Sequence, residues 1–390
     1  GPEALRPQAR LWLAYLLSAE GEYGEAVEQF RTRREQAPDY FGTHPGLVVA
    51  AGEAELHAGD PETARDLFRT YARKFSAHPR KAEVQVLRGH ALSRLEEWRQ
   101  AVDLYSKVIG GNAQADLKAR AQAGIVEALH ALDEVRTDAA VNRLVEIANS
   151  LPLSRAAWEA RHAASRLLAG QERYGEALAQ LGALSGQGRP PERRRLRQRL
   201  DRLLPQAMEA ARAEGKPFQA FKQYNRYGGN RPPAEAGRQA FHSLLALGAL
   251  KAARRTLVEY RDTFGETIQD KRWEYQLAQG YREAGDPAGL AFIDSLLGRD
   301  GTHPWAQQLR LERARLLKRT GRHERLLAYL DAHPGLPAEE ALPMRAHAHE
   351  ALGRPAKAYQ VLARWDRRSQ PQSLPGPVYA EAGDLAARSG

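Results

Sequence analysis

The 390-residue chain contains no cysteine. That excludes disulfides, thiolate catalysis and cysteine-based zinc sites, and it suits an oxidising compartment, where a stray thiol is a hazard. No stretch approaches the roughly 18 apolar residues of a membrane-spanning helix, and no signal peptide is visible. The initial Gly1-Pro2 reads as a protease-cleavage scar, so a native targeting segment is expected to have preceded it. Aromatic residues make up 7% of the chain, and β-branched residues are few. Alanine, leucine, arginine and glutamate are abundant instead, a helix-forming composition, and the 43% hydrophobic content is enough for a continuous core.

Catalytic constellations are lacking too. The twelve histidines include no HExxH. His347 and His349 are two apart, so on a helix they point to different faces and cannot share one metal. His44, His78, His303 and His333 each precede a proline and read as turn chemistry. Neither GxxxxGK[ST] nor GxGxxG is present to cradle a phosphate, and no GxSxG offers a serine nucleophile. Carboxylates beside Arg and Lys on helical faces read as solvated pairs. The chain is therefore expected to be no enzyme, with no cofactor and no metal.

What is present is a repeated pattern. Residues Leu11 to Pro38 hold two apolar helical patterns separated by Gly21: Leu11, Leu13, Ala14, Leu16 and Leu17, then Tyr23, Ala26, Val27 and Phe30. Neither helix can bury its apolar face alone, so the hairpin needs neighbours. Matching positions recur as Gly52, the turn Gly59-Asp60-Pro61, Ala64 and Phe68, and as Gly89, Trp98, Ala101 and Tyr105. A fourth unit holds Gly124, with an insertion around Asp133 to Thr137, and a fifth holds Tyr174, Ala177 and Leu181. Further units centre on Gly248, Ala253 and Leu257, on Trp273, Ala278, Tyr281 and Gly285, on Ala314, Gly321, Leu326 and Leu330, and on Ala346, Gly353, Ala358 and Leu362, with Trp365 further on. A last helix is expected from Leu374.

This unit resembles the tetratricopeptide repeat (TPR), two antiparallel helices in about 34 residues, although the family's tryptophan position is Arg10 here. The resemblance implies an all-α fold, an α-solenoid of about ten TPR-like hairpins coiled as a right-handed superhelix whose first helices line an inner groove. The segments FRTYARKFSAHP and GHALSRLEEWRQAVDLY, in the second and third units, are similar to the TPRs of bacterial envelope proteins such as outer-membrane assembly lipoproteins and Tol-associated periplasmic coordinators.

Punctuation by Gly186 to Pro191 and by Asn225 to Pro233 suggests three parts: an N-terminal array over 1–190, a basic, aromatic-rich hairpin over 191–238 and a divergent array over 239–390. Much of the net charge of +10 sits between Arg189 and Arg238, where 13 Lys/Arg stand against 5 Asp/Glu. An amphipathic helix over Glu192 to Ala213 puts Leu196, Leu200, Leu203, Leu204, Met208 and Ala211 on one face and carries Arg193, Arg194, Arg195, Arg197, Arg199 and Arg202. These arginines form either a site for an anionic partner, nucleic acid being the least expected, or a solvated helix face.

Carrying over the family's groove positions gives Arg272, Tyr275, Gln279 and Arg282 in one unit and Gln308, Arg315, Lys318 and Arg319 in the next, a possible basic wall for an acidic segment. The family's carboxylate clamp lacks its asparagine, the corresponding residues being His242, Gln279 and Arg315. The resemblance thus implies a non-enzymatic protein-binding scaffold, expected in the periplasm of a bacterial cell envelope, in outer-membrane assembly or polysaccharide export, with other proteins, an acidic segment or an anionic polysaccharide as partners. A cytoplasmic TPR adaptor and the helical part of a larger enzyme are the alternatives.

Overall fold

The computed structural model describes residues 7–188, 190–265, 268–298, 303–366 and 387. The expected features at Leu374 and the side chain of Trp365 lie outside the described residues. Within them are twenty-one helices and no strand. The chain divides into two compact units, Gly1–Ala213 with Arg226–Gly228, and Glu214–Asn225 with Gly229–Gly390.

The first unit is built of hairpins: α1 (Pro7–Glu20) with α2 (Tyr23–Gln36), α4 (Pro45–Ala58) with α5 (Pro61–Lys74), α6 (Lys81–Arg94) with α7 (Trp98–Gly110), α8 (Ala115–Ala131) with α9 (Thr137–Ser150), and α10 (Arg155–Gly170) with α11 (Tyr174–Gly182). Pro38 stops α2 and also opens a short extra helix, α3 (Pro38–Thr43), since proline is tolerated at the first helical position. The unit closes with the 24-residue α12 (Pro190–Ala213), which runs through Pro205 and buries Leu196, Leu200, Leu204 and Met208.

Each hairpin turns through a left-handed residue. Gly21 and Gly59 take φ of 84° and 103°, and in the next three hairpins the job falls to Glu96, Asp133 and Glu172, all near 60°. Side chains disfavour that region, which is why the first two hairpins use glycine. Asp60 then caps α5, its Oδ1 accepting from the Thr63 N–H at 3.0 Å, and Ser154 caps α10 in the same way.

Close approach fixes the packing between helices. A ring from the second helix of a hairpin lies on a glycine of the first, Phe68 on Gly52 and Tyr105 on Gly89, and Tyr105 also meets Gly124 of the following hairpin. Both rings are fully buried.

The second unit contains most of α13 (Pro217–Tyr227), then the pairs α14 (Ala234–Ala246) with α15 (Leu250–Phe264), α16 (Ile268–Ala284) with α17 (Ala288–Leu297), α18 (Ala306–Arg319) with α19 (His323–Ala332), and α20 (Ala338–Ala351) with α21 (Pro355–Asp366). Its core gathers Phe241, Trp273, Tyr281 and Phe292, with Phe241 stacked on Trp273 at 5.1 Å.

The four His-Pro histidines serve the turns. The His78 Nδ1 accepts from the Arg80 N–H at 3.2 Å and the His303 Nδ1 from the Trp305 N–H at 3.1 Å, while His44 and His333 bond the carbonyls of Tyr40 and Tyr329 four residues back.

Candidate functional site

In the first unit the inner sides of the first helices meet across a charged interior. Arg155 on α10 reaches Glu53 on α4 at 3.6 Å and Glu159 on its own helix at 3.1 Å. Glu159 also takes Arg120 of α8 at 2.9 Å and lies 3.9 Å from His90 of α6, and Arg80 pairs with Glu83 at 2.6 Å. A cleft of about 180 Å³ opens between these helices, lined by Tyr15, Ser18, Tyr23, Ala50, Glu53, Arg80, Glu83 and Arg155 among others. Arg120 is buried, and its Nη2 has no hydrogen-bond partner.

The electrostatics follow from this crowding. Burial would raise the Glu159 carboxyl, but Arg120, His90 and Arg155 together bring it down to about 2. Burial lowers His90 to about 4, assisted by Arg120 and Arg155 against the pull of Glu159. Glu159 is therefore a carboxylate and His90 a neutral ring near pH 7. Sequence reasoning missed this interior. Its signal is a polar, titratable residue beside the close-approach position, Glu53 after Gly52 and His90 after Gly89, but the partners lie one to three hairpins away.

The arginines of α12 lie partly along the same wall. Arg194 donates to Glu22 at 3.0 Å and to the Glu20 carbonyl at 3.0 Å, and the Arg195 guanidinium stands 4.3 Å over the Tyr23 ring. The last helix of the unit thus returns to its first turn. Arg197 donates to the carbonyls of Tyr227 and Gly228, tying residues 226–228 to this unit, and Arg193 donates to the Gly188 carbonyl at 3.3 Å. Three of the six are therefore spent on backbone carbonyls, mostly at helix C-termini, where a cation is favoured. Arg199 donates to the His162 Nδ1 at 2.9 Å, and Arg202 is exposed.

In the second unit the groove positions fall on neighbouring first helices, α16 and α18. Arg282 and Arg315 do not stand free. They grip Glu312, whose side chain is only 1% exposed, at 2.7 Å and 2.8 Å, and Arg315 also pairs with Glu340. Gln279 donates to the Tyr275 hydroxyl at 3.1 Å, and burial beside Glu312 raises that phenol. Arg272 and Gln308 are exposed, Lys318 is half-buried, and Arg319 lies over the Gly285 turn. A second buried acid, Glu274, is held by Arg261 at 2.8 Å and His303 at 3.1 Å.

Among the described residues no three His, Asp or Glu side chains are placed to hold a metal ion, and no helix is long and apolar enough to cross a membrane.

No known family's sequence profile matches the chain, and no curated protein matches its sequence. Among solved structures it is similar to Pseudomonas aeruginosa pilF, at 13% identity over 58% of this chain and 93% of the other with a TM-score of 0.36. It is also similar to the TPR domain of P58(IPK), at 15% identity over 99% of both chains with a TM-score of 0.28, and to a TPR protein from Parabacteroides merdae, at 13% identity over 87% and 98% with a TM-score of 0.25.

Proposed function

We propose that the protein is a non-catalytic scaffold whose first unit holds a segment of another protein against the inner sides of its first helices. The observation that supports this most directly is the polar cleft lined by Tyr15, Tyr23, Glu53, Arg80, Glu83 and Arg155. A row of stacked hairpins buries its apolar faces between neighbours, yet here charged side chains face inward around open space. Such a surface offers hydrogen bonds and ion pairs to an extended chain.

A photo-crosslinking residue at Tyr15, inside the cleft, should capture a discrete protein from the source cells. The same residue at Arg143, on the exposed side of α9, should capture none. Equal capture at both positions, or none at Tyr15, would end the scaffold reading for this unit.

For its setting we propose the bacterial cell envelope, in outer-membrane assembly or polysaccharide export. The support is the absence of cysteine and the envelope-like wording of the second and third hairpins. Fractionation of source cells with an antibody to this chain tests the setting: recovery in the periplasm or membrane fraction agrees with it, and recovery in the cytosol removes it in favour of a cytoplasmic adaptor.

A further inference from the structure

We propose that Arg94, Arg166, Arg195 and Arg199 form an oxyanion site on the inner side of the first unit, and that it takes the carboxylates of an acidic segment of a partner protein. This rests on the scaffold reading above and names the chemistry of the segment held.

The four side chains come from three helices, α6, α10 and α12. Arg195 and Arg199 are four residues apart and share one face of α12. Arg195 lies 4.3 Å over Tyr23, whose ring stacks on His57 of α4 at 4.5 Å. Arg94 donates to the Leu56 carbonyl at the end of α4, 2.8 Å away. Arg199 donates to the buried His162 of α10, and Arg166, one turn further along α10, pairs with Glu127.

Four guanidinium groups thus converge with one carboxylate among them. Elsewhere in this unit the inner cations are matched by acids: Arg155 by Glu53 and Glu159, Arg120 by Glu159, Arg80 by Glu83.

The imbalance is felt at Arg94, Arg199 and His57. Burial, then Arg166 and Arg195, lower the Arg94 pKa. Burial, then Arg166, Arg195, Arg202 and Arg94, lower that of Arg199. The enclosing protein, then Arg195, Arg94 and Arg155, press His57 down to about 3. Like charges held together raise the energy of the empty site, and an oxyanion relieves it. Guanidinium forks suit carboxylates by bidentate geometry.

A segment of protein fits better than an acidic glycan. Tyr23, the aromatic ring within the cluster, is already covered by His57 and Arg195, so it offers no open face to a sugar. Tyr23 also lines the cleft that continues toward Arg80 and Glu83, room for an extended chain beyond its acidic residues.

The test uses the full chain and a fluorescent oligoglutamate peptide, with binding read by anisotropy at low salt and at about 0.15 M. The unaltered protein should bind oligoglutamate and not oligoglutamine. Arg195→Gln with Arg199→Gln should weaken binding about tenfold or more. Arg99→Gln with Arg143→Gln, which removes the same charge from outer surfaces paired to Glu134 and Glu146, should leave it within about twofold. Circular dichroism confirms that each variant is folded, and Arg195→Lys with Arg199→Lys separates charge from fork geometry should the glutamine pair misfold.

Equal losses in the inner and outer pairs would overturn the site. Displacement of the peptide by millimolar inorganic phosphate, or tighter binding of an oligouronate than of oligoglutamate, would overturn the peptide as occupant. The scaffold reading fails separately: crosslinking at Tyr15 that survives in the Arg195→Gln/Arg199→Gln variant keeps the scaffold and discards the arginine site.

Discussion

Replacing Gly89 by alanine should destabilise the first unit, although alanine is the better helix former by about 1 kcal/mol. A β-carbon at residue 89 would lie 2.3 Å from Cε1 and 2.6 Å from Cζ of Tyr105, where carbon atoms need about 3.5 Å. The ring must therefore move by roughly 1 Å on that contact distance. It has little room to do so, because it is fully buried and a β-carbon at Gly124 would also meet it, at 2.4 Å. Overpacking costs about 1–3 kcal/mol, and a 2.3 Å approach to a confined ring belongs in the upper part of that range, about 2–3 kcal/mol. After the gain in helix propensity the net loss is therefore about 1–2 kcal/mol. Gly89→Leu would cost more. Urea unfolding followed by circular dichroism, with hydrogen exchange of α6 and α8 amides to localise the change, reads the effect. Gly24→Ala, at a helical glycine with nothing within 4 Å, is the control and should be neutral or mildly stabilising. Adding Tyr105→Leu to Gly89→Ala should recover part of the loss, since the two changes act on one contact. A Gly89→Ala protein as stable as its parent would refute the close-approach account of these hairpins.

Three further outcomes are expected. Glu96→Gly should raise stability by up to about 1 kcal/mol in thermal unfolding, because φ at residue 96 is 61° and glycine enters that region without strain. Arg282→Glu with Arg315→Glu should lower the stability of the second unit by about 2 kcal/mol or more, since both cations hold the buried Glu312; unchanged urea midpoints would show that Glu312 does not depend on them. On acidification the first unit should weaken from about pH 6.5 toward pH 4. His90 and His162 have folded pKa values lowered from 6.5 to about 4 and about 3, so their contribution is complete above the unfolded value and is lost as pH falls and the unfolded chain takes up protons first. His90→Gln with His162→Gln should flatten the pH dependence of the melting temperature over that range.

The hairpins were legible because their determinants are local. A left-handed glycine such as Gly59, a cap such as Asp60 and a ring such as Phe68 set opposite Gly52 all lie within about one repeat length of each other. The short α3 was not legible, because Pro38 carries two meanings, stop and start, and the choice depends on Phe41 finding a place in the core. The candidate site was legible only in part. Arg195 and Arg199 stand out as charge on one helix face, but Arg94 and Arg166 join them from other hairpins, and Arg194 and Arg197 of the same run serve backbone carbonyls. The Arg155–Glu53 pair joins α10 to α4, so it depends on how tightly the first unit curls. That curvature accumulates from small rotations at every helix contact, and no residue pattern states it. In the second unit Arg282 and Arg315 were legible as neighbours on adjacent first helices. Their neutralisation by Glu312 was not, because an acid that a sequence presents as a solvated partner is here buried.

The return of α12 to the α1–α2 turn fixes the number of hairpins that the first unit can contain. An open row of repeats can gain or lose one by duplication or deletion and adjust only its length. Here one hairpin more or fewer between α4 and α10 would carry Arg194 and Arg195 past Glu22 and Tyr23, and would break the Arg155–Glu53 bridge as well. Evolution of this half should therefore proceed by changing side chains at constant repeat count, while any drift in copy number is confined to parts of the chain without such a closure.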